Sequence, residues 1–240
     1  MINNAIIYAH RGSSAKMPEN TMASFVCALE DGATGIELDV GLTKDNQVVI
    51  IHDSDISRVS NGSGKVFEKT YEELLKYDFS FKHKKYNGEK LPLLTDVLKL
   101  IKDENIVLNI EIKNHTPNSG LEELTLKHVK DFGVEDKIIY SSFSKESLDK
   151  VKSLKDDAKI ALLYKKRMAS PWEASDGNYF AIHPKYSIAV KDHLIKDARK
   201  LGVGVNVWTV DNVFKAEKLL IMGATGIITN KPRLMKTLLV

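Results

Sequence analysis

Gly35-Ile36-Glu37-Leu38-Asp39-Val40-Gly41-Leu42-Thr43-Lys44-Asp45-Asn46-Gln47-Val48-Val49-Ile50-Ile51-His52-Asp53 is the stretch on which the fold turns. Its two apolar runs, 35–40 and 48–52, read as strands. Little more than Thr43-Lys44-Asp45-Asn46 joins them. A parallel crossover needs about a dozen residues or more, whereas a hairpin does not. With a four-residue turn, Leu42 pairs with Gln47, Asp39 with Ile50 and Glu37 with His52. Side chains alternate along a strand, so Glu37, Asp39, Ile50 and His52 then share one face. A parallel arrangement with an extended return is the alternative.

Outward from this stretch, short apolar runs alternate with amphipathic ones, the pattern of β-α units around a parallel sheet. Strands are expected at 6–9, 35–40, 48–52, 106–112, 137–141, 159–164, 179–183, 203–209 and 226–229, and helices at 21–31, 95–104, 121–132, 145–154, 191–201 and 212–222. For the first helix, Asn20 or Thr21 is the expected N-cap, and Gly32 follows its end. Nine strands contend for the eight places of an α/β barrel. Treating 48–52 as a hairpin leg at the barrel mouth leaves eight. Residues 1–52 and 91–240 then form the barrel. Residues 53–90, with Ser60-Asn61-Gly62-Ser63-Gly64 and no evident barrel strand, form a small insertion after the second strand region. That insertion reads equally as a cover over the active face or as a surface elaboration.

The chain has 240 residues, 43% of them hydrophobic, enough for one sizeable core. Its 35 Lys and Arg against 32 Asp and Glu give +3, too weak a bias to argue for nucleic acid. A lone cysteine, Cys27 in the apolar run 23–29, reads as a core residue and excludes an internal disulfide. No run approaches the roughly 20 apolar residues of a membrane span, and the first residues lack the pattern of a signal peptide. A cytoplasmic protein is expected.

Polar residues collect at strand ends, where a barrel carries its chemistry. His10-Arg11 ends the first strand, Glu37 and Asp39 lie two apart on the second, His52-Asp53 ends the hairpin leg, and Glu111-Ile112-Lys113 ends the strand that follows. Each alone reads as half-exposed charge or as a satisfied core histidine. Together they differ in kind, because burying like carboxylates is costly unless a cation neutralises them. Glu37, Asp39 and Glu111 form an all-oxygen set, which favours Mg²⁺ or Ca²⁺ over zinc. His10 and His52 remain for proton transfer. Arg11 and Lys113 suit phosphate oxygens.

These residues resemble the signatures of the glycerophosphodiester phosphodiesterase family: His10-Arg11-Gly12 with Pro18-Glu19-Asn20-Thr21, Glu37-Leu38-Asp39 with Thr43-Lys44-Asp45 and His52-Asp53, then Glu111-Ile112-Lys113, Trp208-Thr209-Val210 and 226–232. The resemblance runs from residue 6 to about residue 233. Asn46 stands in place of a turn glycine and Asn230 where Asp is common, and neither is expected to touch the chemistry. The resemblance implies a TIM barrel with an insertion after His52-Asp53. It implies one divalent cation on Glu37, Asp39 and Glu111, an acid/base pair His10 and His52, a phosphate contact from Arg11, and Lys113 near metal and phosphate. The reaction implied is hydrolysis of a small glycerophosphodiester to sn-glycerol 3-phosphate and an alcohol. Which histidine is the acid stays open, as does the nucleophile, water or a neighbouring substrate hydroxyl.

Trp208 and Phe143 are expected as walls of the substrate site, with barrel packing as the bland reading. His183 is a candidate to reach the mouth. Glu19 and Asn20 read as capping and loop structure. His83, His115, His128 and His193 read as surface residues, and Lys82–Lys85 as a solvated basic patch. A lysophospholipid-cleaving enzyme would need an apolar rim, which Phe79, Phe81 and Tyr86 permit. A barrel that only binds a phosphodiester should lack an acid, a base or a ligand, and none is missing.

Overall fold

The computed structural model describes residues 5–80, 83–113, 115, 120–166, 171–191 and 193–239. Its strands are β1 Ile6–His10, β2 Gly35–Leu42, β3 Val48–Ile50, β4 Val107–Ile112, β5 Ile138–Ser142, β6 Ile160–Tyr164, β7 Ala181–Pro184, β8 Gly204–Val207 and β9 Gly226–Thr229. Its helices are α1 Met22–Glu30, α2 Tyr71–Leu74, α3 Leu94–Ile101, α4 Leu121–Phe132, α5 Lys145–Leu154, α6 Pro171–Asp176, α7 Tyr186–Ala189, α8 Leu194–Lys200, α9 Val213–Ile221 and α10 Pro232–Met235. Strands β1, β2 and β4 to β9 are parallel neighbours in that order, and β9 pairs back onto β1. The fold is a TIM barrel.

Local chemistry explains the frame. α1 starts where the Thr21 hydroxyl accepts from the Ser24 amide while the Ser24 hydroxyl accepts from the Thr21 amide, a reciprocal cap. α3 buries Leu94, Val97, Leu98 and Ile101, the i, i+3, i+4, i+7 stripe of a helix lying on a core. Each such side chain contributes about 1.5–3 kcal/mol on burial. Two large apolar clusters line the gap between strands and helices, one on the β1–β6 side and one on the β7–β9 side. Inside the barrel, Tyr8 packs with Ile139, Ala161, Ala181 and Ile228. Gly35 makes room for that ring: a Cβ there would stand 2.5 Å from Tyr8 Cδ1.

β3 is the hairpin leg, antiparallel to β2 beyond the barrel rim. Its register differs by one residue from the expected one, with Val40 opposite Ile50 and Leu42 opposite Val48. The turn is longer because Thr43 closes it: the Thr43 amide donates to the Gln47 carbonyl (3.1 Å) and the Gln47 amide to Thr43 Oγ1 (2.8 Å). The loop between them ends in Asn46 at φ 59°, a left-handed position that asparagine tolerates. Ile50 therefore faces the apolar cluster with Leu38 and Val40, not the carboxylates. The strand ends there, and His52 reaches the site from the bend that follows.

Residues 53–80 and 83–90 hold α2 and three short 3₁₀ turns, with no barrel strand. Ile56, Val66, Leu74 and Phe79 pack there against Val49, Ile51 and Leu91 as a separate small core. Phe81 and Lys82 lie outside the described residues. Among the described residues no helix is long and apolar enough to cross a membrane.

Candidate active site

Parallel pairing aligns the strand ends. His10 is registered with Glu37, and Asp39 with Glu111. One carboxylate oxygen each from Glu37, Asp39 and Glu111 lies within 4.8 Å of the others, and all three side chains are buried. Two cations hold this cluster together. Arg11 Nε is 3.3 Å from Asp39 Oδ2, and Lys113 Nζ is 2.7 Å from Glu111 Oε1 and 3.7 Å from Asp39 Oδ1. Asn20 Nδ2 donates to Asp39 Oδ2 (2.9 Å). Asn20 is thus a support of the site, and capping falls to Thr21.

The acids divide electrostatically. Burial and the neighbouring Asp39 and Glu111 raise Glu37 well above the usual carboxylate range. Burial and Asp39 push Glu111 up to about 7. Burial would raise Asp39 too, but Arg11 and Lys113 overrule it and hold it well below its ordinary value. Three acids in one buried place, two of them reluctant to ionise, form a set that a divalent cation would complete. Among the described residues Asp39 Oδ1 accepts no hydrogen bond, which leaves a lone pair for an ion.

The loop after β1 shapes the anion side. Arg11 and Gly12 both adopt positive φ, 56° and 79°. This turns the Arg11 amide onto the Glu37 carbonyl (2.8 Å) and Oε2 (3.0 Å). A Cβ on Gly12 would lie 2.3 Å from Ser24 Oγ and 2.6 Å from the Ser24 backbone, so α1 can come this close only to glycine.

The two histidines have different partners. His10 Nδ1 lies 2.7 Å from Asn230 Oδ1. Asn230 is itself fixed, its Nδ2 donating to Asp211 Oδ2 (2.7 Å) and its amide to Asp211 Oδ1 (2.8 Å). That network puts the proton on His10 Nδ1 and leaves Nε2 as acceptor, 3.9 Å from Glu37 Oε2. The expectation that Asn230 stands clear of the chemistry is corrected: an amide held by Asp211 grips the first imidazole. His52 Nδ1 instead faces a carboxylate, Asp53 Oδ1, at 2.6 Å. Arg58 donates to Asp53 and, at 2.7 and 2.8 Å, to Glu19, which also accepts from Arg11 (2.8 Å). Burial, then Arg11, lowers His10 to about 4. Burial also lowers His52, against the pull of Asp39.

Between these groups lies a cavity of about 250 Å³. Its lining joins the polar His10, Arg11, Glu37, His52, Asn109 and Glu111 to Phe143, Leu163, Lys165, Trp208 and Ile228. Phe143 and Trp208 meet edge to face at 5.7 Å, and Trp208 Nε1 donates to the His183 carbonyl (2.7 Å). Of the nine residues expected at the site, seven line this cavity, and Asp39 and Lys113 lie beside them, paired with each other and, through Lys113, with Glu111. His183 does not reach it: it is buried inside the barrel, its Nε2 2.9 Å from Asn206 Nδ2. His115, expected at the surface, is half-buried, with Nε2 3.1 Å from the His52 carbonyl. Sequence reasoning gave no part to Arg58, Asp211 or Lys165. Only Asp53, adjacent to His52, carried a signal in its position.

A family model described as the Glycerophosphoryl diester phosphodiesterase family matches residues 10–234. A glycerophosphodiester phosphodiesterase of Caldanaerobacter subterraneus subsp. tengcongensis is 41% identical over 95% of this chain and 94% of its own. A phosphodiesterase of Oleispira antarctica, solved in complex with the product sn-glycerol-3-phosphate, matches with a TM-score of 0.88 and 28% identity, over 98% of this chain and 96% of that one. A glycerophosphodiester phosphodiesterase of Parabacteroides distasonis matches with a TM-score of 0.86 and 31% identity, over 99% of this chain and 97% of that one.

Proposed function

The chain belongs to the glycerophosphoryl diester phosphodiesterase family, a family of enzymes, and from that premise we propose that it hydrolyses glycerophosphodiesters to sn-glycerol 3-phosphate and an alcohol by histidine acid/base catalysis beside one divalent cation, Mg²⁺ or Ca²⁺. One observation carries the reading: three buried carboxylates converge within 4.8 Å at the mouth where both imidazoles arrive. Glu37, Asp39 and Glu111 would hold the ion. Bound there, it would supply charge to offset that on a phosphate oxygen during transfer.

The protein's own groups do the rest. Arg11 and Lys113 brace the phosphate, and Phe143 with Trp208 walls the organic part. His10, held neutral by burial and by the nearby Arg11 charge, with Nδ1 turned to the Asn230 amide oxygen, takes a proton from the attacking hydroxyl at Nε2. His52, backed by the Asp53 carboxylate, is the better proton holder and returns one to the leaving alkoxide. Residues 53–90 act as an insertion on the active face, a role supported by Arg58, which ties Asp53 to Glu19. With Cys27 unpaired and buried, the reducing cytoplasm is the compartment we assign. Of the residues that would give the lysophospholipid alternative its apolar rim, Phe79 is spent in the insertion's own core.

The test is a metal-stripped assay on glycerophosphocholine, glycerophosphoethanolamine and a lysophospholipid, with Mg²⁺, Ca²⁺ or Mn²⁺ restored singly. Released sn-glycerol 3-phosphate, dependent on added ion, is expected from the first two. A folded protein that turns over none of them counts toward a binding module, and one active only on the lysophospholipid is a different enzyme.

Stability carries a second signature. Glu111 binds its proton more tightly folded than unfolded, its value rising from 4.5 to about 7. The metal-free protein therefore loses stability as pH rises through that window. A cation that replaces the proton reverses the loss. The rise in Tm on adding saturating cation should be larger at pH 8 than at pH 5, as read by thermal melts. An equal rise at both would count against these ligands.

A further inference from the structure

We infer that Lys165 biases the choice of leaving alcohol, favouring head groups that carry their own negative charge over cationic ones such as choline, which are still turned over. The inference rests on the phosphodiesterase reading above and goes on to its substrate class. Lys165 directly follows β6, in the inward phase set by Leu163, and both line the cavity. Its strand is three places around the barrel from β2, which carries Glu37 and Asp39, and two from β4, which carries Glu111.

Its charge is uncommitted. Among the described residues, Arg11 is held by Glu19 and Asp39, and Lys113 by Glu111 and Asp39. Among the described residues, no carboxylate pairs with Lys165. Its ammonium lies 5.0 Å from the centre of the Phe143 ring, and that of Lys113 lies 5.9 Å from the same centre. An aromatic wall normally attracts a quaternary ammonium. Here the ring already serves two ammonium groups, and a third positive charge beside it meets like-charge repulsion in a partly enclosed cavity. A phosphate on the alcohol would instead give Lys165 the anionic partner it lacks.

Three diesters differing in head-group charge test this: glycerophosphocholine, glycerophosphoinositol and glycerophosphoinositol 4-phosphate. For the wild type, kcat/KM should rise in that order. Lys165→Gln should shrink the ratio of the third to the first by about tenfold, and Lys165→Glu should reduce it further, toward inversion. Raised salt should shrink the wild-type ratio in the same sense. A ratio unchanged by either substitution overturns the inference, as does an equal loss on all three, which would put Lys165 against the glycerol they share. Preference for glycerophosphocholine in the wild type overturns it too. No turnover of any of the three defeats the phosphodiesterase reading itself, and this inference with it.

Discussion

Replacing His52 by alanine lowers kcat on glycerophosphoethanolamine by about 10²-fold or more, and His10→Ala does the same, the usual scale of a general acid or base. The two variants part company when the leaving group changes. Ethanolamine leaves as a basic alkoxide and needs a proton, whereas p-nitrophenolate does not. If His52 with Asp53 is the acid, His52→Ala should regain most of its activity on the p-nitrophenyl diester. His10→Ala should stay low on both substrates, since the attacking hydroxyl still has a proton to lose. The different partners motivate this division: an amide holds His10, and a carboxylate 2.6 Å away backs His52. Wild-type turnover in either variant on the ethanolamine ester removes that histidine from the mechanism. Recovery in His10→Ala alone reverses the roles.

The second large effect belongs to the carboxylates, and here activity and stability should move apart. Without a cation, ionised Glu37 and Glu111 cost the fold stability, and Gln removes that charge. Glu37→Gln and Glu111→Gln should keep or slightly raise the metal-free Tm at pH 7.5 while activity falls by about 10²–10³-fold or more, the loss expected when charge stabilisation at a transition state is removed. Asp39 is the opposite case. Its lowered value means that its charge stabilises the fold above the ordinary aspartate range, a contribution lost as pH falls through the lowered value. Asp39→Asn leaves Arg11 and Lys113 short of a counter-charge and should lower the Tm as well as the activity. Melts and steady-state kinetics on the three variants check the pattern. Uniform destabilisation would mean that the acids are structural.

Much of this was legible in the sequence because strand chemistry is local. Two-residue alternation alone aligned Glu37 with Asp39, and the short gap before Val48 already favoured a hairpin over a parallel return. The hairpin's register was not legible. It hangs on a side chain, the Thr43 hydroxyl, closing the turn on Gln47, and on Asn46 accepting a left-handed conformation. His52 reached the site for a different reason from the one the alternation suggested: the strand stops at Ile50 and the chain bends. Asn230 and Asp211 were harder still. They lie far along the chain from His10, and only barrel closure through the β9–β1 pairing makes them neighbours. His183 is the reverse case. Near a strand end it was a candidate to reach the mouth, but inside this barrel it is buried, pushed down to about 3 by that burial, and packed beside Asn206.

The account stands on a divalent ion shared by Glu37, Asp39 and Glu111. Electron paramagnetic resonance of Mn²⁺ titrated into metal-stripped protein measures that sharing directly. The wild type should take up one ion per chain, displaced by Mg²⁺ or Ca²⁺. The Glu37→Gln, Glu111→Gln double variant, still folded by its melt, should take up none at the same concentrations. Undiminished Mn²⁺ binding by the double variant would contradict the account.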